Sequence, residues 1–125
     1  MYELTINNKV YGFKFGIGFV REVNKRVVKE VEGTNAKQEM GLQYAVAGLM
    51  DEDAVALVDV LELANKTEKP RITKGELDAF VDDEDTDISA ICKDVLDFLS
   101  KANASKKVTT TVMEVVEAER AKANQ

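Results

Sequence analysis

The sequence predicts an α+β domain that is mostly α, with an N-terminal β-hairpin packed on a bundle of about five helices. Three observations carry this. Tyr2, Leu4 and Ile6 alternate with other residues, as do Tyr11, Phe13 and Phe15 beyond Asn7 and Asn8, which is the period-two signature of paired strands. From Ile17 onward apolar residues recur at three-and-four spacing, the helical period. The densest apolar stretch, residues 41–64, reads as two helical stripes meeting at an acidic corner, a face that the other elements must cover.

Each element has a local reason. Asn7 and Asn8 tolerate the positive φ of a tight two-residue turn, so the flanking runs pair. Such a hairpin is marginal alone, and its Leu4, Ile6, Phe13 and Phe15 must lie on helices. Ile17, Val20, Val23 and Val27 then mark a first helix running to about Lys29. Residues 30–39 are polar, contain Gly33 and Asn35 and lack a period, which predicts a mobile loop. Leu42, Ala45, Val46 and Leu49 form the stripe of the next helix, closed by Met50. Asp51, Glu52 and Asp53 can accept from the free N–H groups of a following helix, whose stripe is Ala54, Val55, Leu57, Val58, Leu61 and Ala64, with Asp59 and Glu62 turned outward. Residues 65–69 are polar and Pro70 cannot continue a helix. Thr73 and Glu76 have capping-box spacing ahead of Leu77, Phe80 and Val81. Ile88, Ile91, Cys92, Val95, Phe98, Leu99 and Ala102 give the clearest amphipathic helix of the chain. Residues 1–103 thus form the helical domain with its hairpin. Residues 104–125, with three consecutive threonines and a narrow stripe, form a weakly structured or oligomerising helical tail.

Composition narrows function. A chain of 125 residues is one small domain. Its formal charge of -6 is uneven, with fifteen acids against five bases in residues 51–97, which would repel phosphate and argues against a nucleic-acid partner. Without histidine there is no serine-histidine or cysteine-histidine nucleophile and no histidine-held zinc. Cys92 is the single cysteine and reads as a small core side chain in a reducing cytoplasm. Gly16-Ile17-Gly18-Phe19 is too short for a phosphate-binding glycine motif. Asp83, Asp85 and Asp87 have the first spacings of a calcium loop, but Ile88 stands where that turn needs glycine and Asp94 where its closing glutamate belongs, so the run reads as a solvated helix cap. No catalytic, cofactor-binding or metal-ligating residue is assigned, and no cofactor is expected. No signal pattern or membrane-length apolar run occurs, so neither export nor a membrane partner is expected.

Three stretches carry a resemblance. MYELTINNKVYGFKFGIGFVREVNK, GLQYAVAGLMDEDAVALVDVLELAN and ITKGELDAFVDDEDTDISAICKDVLDFLSKAN resemble, in order, the tail assembly chaperones of long-tailed siphovirus-type phages of Gram-positive bacteria, and cover most of residues 1–103. The resemblance implies a non-enzymatic assembly factor that acts in the host cell cytoplasm and is absent from the mature virion. It implies that the client is the phage tape measure protein, whose long apolar helices would aggregate before tail tube subunits polymerise around it. In this family a frameshifted longer form often helps to recruit tail tube protein. The alternatives are a small phage-encoded adaptor binding another phage or host protein, and a calcium-regulated module.

The expected contact residues lie in the tail. Val108, Val112, Met113, Val115 and Val116 recur at usable helical spacing in a segment too weak to stand alone, so docking on a partner or on a second copy would bury them. A homo-oligomer is therefore expected.

Overall fold

A computed structural model describes residues 1–124. Among them are two antiparallel hairpins and six helices: β1 (Tyr2–Ile6), β2 (Lys9–Phe13), α1 (Ile17–Asn24), β3 (Val28–Glu30), β4 (Lys37–Glu39), α2 (Gly41–Met50), α3 (Ala54–Asn65), α4 (Lys74–Asp82), α5 (Ile88–Lys101) and α6 (Lys106–Ala123). The α-rich α+β class is as expected from the sequence, with one more helix and one more hairpin.

The centre is α2, which touches α1, α3, α5 and α6. Its Leu42, Val46 and Leu49 are buried, and they meet Leu57, Val60 and Leu61 of α3 in one continuous core. Each such side chain contributes roughly 1.5–3 kcal/mol by leaving water. The acidic corner starts α3 as expected: the Asp53 carboxylate accepts from the N–H groups of Val55 and Ala56 at 2.9 and 3.3 Å. Thr73 and Glu76 close the capping box of α4, and Asp87 caps α5 through the N–H of Ala90. Gly41 admits a close approach of α1 and α2, since a Cβ there would collide with the carbonyl oxygen of Val23 on α1.

The β1–β2 hairpin turns at Asn7 and Asn8, both at positive φ (52° and 65°), and pairs Tyr2 with Phe13 and Leu4 with Tyr11. Its inner face lies on the helices. The N–H of Lys14 donates to the carbonyl of Ala64 at 2.8 Å, and the hydroxyl of Tyr11 donates to Glu76 at 3.2 Å. Asn65 was expected in a polar break, but is fully buried and serves as the rivet of this joint. Its amide donates to the carbonyls of Gly12 and Pro70 at 2.9 and 3.1 Å and accepts from the N–H of Ile72 at 2.8 Å.

Two expectations are corrected between residues 25 and 40. The first helix ends at Asn24 rather than near Lys29, where the Asn24 side chain accepts from the N–H of Leu42 and brings α1 to α2. Residues 30–39 are not an unpaired loop: Val28–Glu30 pairs with Lys37–Glu39, and Gly33 at φ 80° lets the connection turn. β-branched Val27 and Val28 favour an extended chain. Every residue of this arm is exposed, so no apolar alternation announces it.

Two apolar assignments shift as well. Val55 is 70% exposed rather than part of the α3 core stripe, because it lies four and seven residues before Asp59 and Glu62 and shares their outward face. Phe98 is at the edge of the α5 stripe, partly exposed beside Tyr2 and Phe15, while Leu96 is buried.

Within the segment set apart from residue 104 onward, the chain forms α6 against α2 and α5. Buried Ser105 closes the preceding corner by donating its hydroxyl to the carbonyl of Leu99 at 2.7 Å. Thr109 is fully buried despite the helix-disfavouring threonine run, so packing outweighs the few tenths of a kcal/mol per residue of propensity. Further along, Arg120 donates to the carbonyl of Met50 at 2.8 Å and pairs with Asp51 at 3.0 Å.

Candidate functional site

The tail residues divide in two. Val108, Val112 and Met113 are half-buried and pack against the chain's own core, Val116 is half-buried, and Val115 is 57% exposed. Only part of the expected stripe therefore faces outward.

Two apolar grooves lie elsewhere, along α3. A groove of about 180 Å³ between α2 and α3 has Val27, Tyr44, Ala45, Ala56 and Val60 among its walls, with Arg26 and Asp59 as its charged lining. Tyr44 is 47% exposed, and the Lys29 ammonium of the β3–β4 arm sits 5.0 Å from its ring centroid, a cation–π contact that ties the arm's root to α2. A second groove of about 220 Å³ between α3 and α4 is lined by Ala54, Val55, Val58 and Val81, and by Asp59, Lys74, Asp78 and Asp82. Asp59 lines both, so the two depressions adjoin on the outer side of α3. Shallow apolar grooves of this kind suit the face of a helix from another chain.

Sequence reasoning missed both. Tyr44 falls outside the α2 stripe, which was a signal that it points outward. Val55 was hidden by its position within a run of core-forming residues. The grooves themselves depend on how α2, α3 and α4 are spaced.

The shifted titratable groups each have a local structural cause. Burial and the nearby Glu52 and Asp53 push the Cys92 thiol up to about 11, which keeps it protonated and unreactive at neutral pH. Burial, then Asp94, pushes the Tyr2 hydroxyl up to about 12. The Thr73 N–H and hydroxyl hold the Glu76 carboxyl below its usual range, as a capping box does. The acidic run is spent on local turns: Asp83 accepts from the N–H of Asp85 at 2.9 Å and Asp87 from that of Ala90 at 3.0 Å. Among the described residues no three histidine, cysteine, aspartate or glutamate side chains are grouped to hold a metal ion, and no helix is long and apolar enough to cross a membrane.

No curated protein and no solved structure matches the chain. A family model described as phage tail assembly chaperone protein, TAC, matches residues 3–114. That match runs from β1 into α6 and takes in both hairpins, both grooves and the core helices between them, and the chain belongs to the phage tail assembly chaperone family.

Proposed function

We propose that this protein binds its phage's tape measure protein in the host cytoplasm, keeps it soluble without consuming nucleotide, and helps to bring tail tube subunits to it before leaving the finished particle. The observation that carries this reading is the family match over residues 3–114. The geometry supports it: apolar grooves beside α3 offer seats for client helices, and the surplus of acids over bases would keep a loaded complex soluble. Residues 1–103 act as the body of the chaperone and residues 104–125 as the segment through which copies associate. Of Val108, Val112, Met113, Val115 and Val116, the last two act outward in this reading, since the first three are engaged with the core.

Co-expression with the tape measure protein of the same phage tests it. A soluble complex recovered through a tag on either chain is expected. If folded protein captures no tape measure fragment and leaves the client in the pellet, the reading is wrong. Replacing Val115 and Val116 by Ser should leave melting unchanged and weaken self-association or client capture. Unaltered light scattering and unaltered capture would clear the tail of both roles.

A further inference from the structure

We infer that the α3–α4 groove is a docking site for an amphipathic helix of another chain whose apolar stripe is flanked by lysine or arginine. The inference deepens the chaperone reading, and it rests on that reading only for which protein supplies the helix. Two independent features point to such an occupant. The first is shape and apolarity: buried Val58 and Val81 lie at the groove, and Val55, 70% exposed, stands beside them with nothing of its own chain over it. An exposed valine on a helix is ordinary. One that lines a groove is a seat for the knob of a facing helix.

The second feature is charge that the fold leaves uncompensated. Asp59, Asp78 and Asp82 line the groove with one base, Lys74, which pairs with Asp59 at 3.4 Å. Asp78 and Asp82 stand four residues apart on α4, the spacing at which like charges repel on a helix surface. Asp82 is also the last residue of α4, at the negative end of the helix dipole, and that last turn holds no basic residue. Both effects disfavour the free protein slightly. A cation laid across Asp78 and Asp82 from outside would reverse both, while an acidic or neutral helix would not. The chemistry therefore selects a basic-flanked partner over an acidic one.

The test uses two synthetic peptides of about five helical turns, each with leucines at helical spacing, one flanked by lysines and the other by glutamates. Each is titrated into the full-length, isotope-labelled protein. The lysine peptide should shift backbone amides in residues 54–59 and 74–82, and the glutamate peptide should not. The double substitution Asp78→Asn and Asp82→Asn, at exposed positions where melting should hold or rise slightly, should weaken the lysine peptide about tenfold. Replacing the loop acids Glu84 and Asp85 by Gln and Asn, outside the groove, should alter affinity by no more than about twofold. The inference is overturned if no amide moves, if shifts spread evenly over the acidic loop, or if both double variants weaken binding alike. Groove amides that move with protein concentration alone would overturn it too, since the occupant would then be a second copy. Tape measure capture by the same variants separates the two readings. If the peptide fails while wild type still captures the client, this inference falls and the chaperone reading stands. If the peptide docks while no client is captured, the reverse holds.

Discussion

In the β1–β2 hairpin, Tyr2, Ile6, Tyr11 and Phe13 are buried, whereas every residue of β3 and β4 is exposed. Both are two-stranded antiparallel ribbons with short strands and a residue at positive φ in the turn. Pairing alone does not hold such a ribbon in water. The first is held by what lies beneath it: aromatic contacts to Phe98, a main-chain bond to α3 and the Asn65 rivet. The second is held at its root, by the bond between Met40 and Val27, the Asn24 clamp on Leu42 and the Lys29 cation over Tyr44. One is therefore part of the cooperative core, and the other is an arm free to open on its own beside the Tyr44 groove.

The largest effect that separates them is packing. Replacing Phe13, fully buried in β2, by Ala should cost about 3–5 kcal/mol. Replacing exposed Val28 of β3 by Ala should change stability by no more than about 0.5 kcal/mol. Denaturant midpoints at constant slope measure both. Comparable losses would show that the arm belongs to the core.

Next comes the joint. Asn65→Ala leaves the Ile72 N–H and the Gly12 carbonyl without their side-chain partner, and a loss of about 2–4 kcal/mol is expected. Hydrogen exchange in β1 and β2 should rise while that of the arm stays as it was. If stability holds, the rivet is dispensable.

Alkaline pH weakens the packing around Tyr2 of β1 and Cys92 of α5. Tyr2, pushed up to about 12, and Cys92, pushed up to about 11, are both neutral when protonated, and folding keeps them so. Their contribution is complete below the unfolded values of 10.0 and 9.0 and is lost as pH rises toward the folded ones. By about pH 10.5 a loss of about 1–2 kcal/mol relative to pH 8 is expected, and Tyr2→Phe should remove the part above pH 10. Denaturant midpoints that stay flat from pH 8 to 10.5 would refute it.

What could be read from the sequence follows the same division. The Asn7-Asn8 turn, the Asp53 and Thr73 caps and the Leu57 and Leu61 core were legible because each signal lies within a few residues of its effect. Asn65 was not, because its partner at Gly12 lies 53 residues away, and a buried amide looks like any polar residue until its partners are placed. The arm was not, because a ribbon with no face to bury has no alternation. Of the candidate contact residues, Val108, Val112 and Met113 showed usable spacing, yet spacing cannot say whether a stripe meets its own core or another chain. The grooves beside α3 belong to the arrangement of three helices and have no sequence signature.

The smallest effect is also the sharpest test of the comparison, because it applies one kind of strain to both turns. Asn7→Ala and Asn8→Ala force a residue with a Cβ and no local hydrogen-bonding side chain into positive φ, as does Gly33→Ala in the arm. Each should cost about 1 kcal/mol within its own turn. In the first hairpin that cost adds to the global free energy, since the strands do not open without the core, and the midpoint should fall accordingly. In the arm the cost can reduce global stability only by as much as the arm's own opening free energy, which is small for a ribbon with no buried side chain. Gly33→Ala should therefore leave the midpoint within about 0.3 kcal/mol of wild type while raising hydrogen exchange at Lys29 and Val31 several-fold. An equal fall in both midpoints would mean that the arm folds with the core, and that the Lys29 and Asn24 contacts at its root carry more than their exposure suggests.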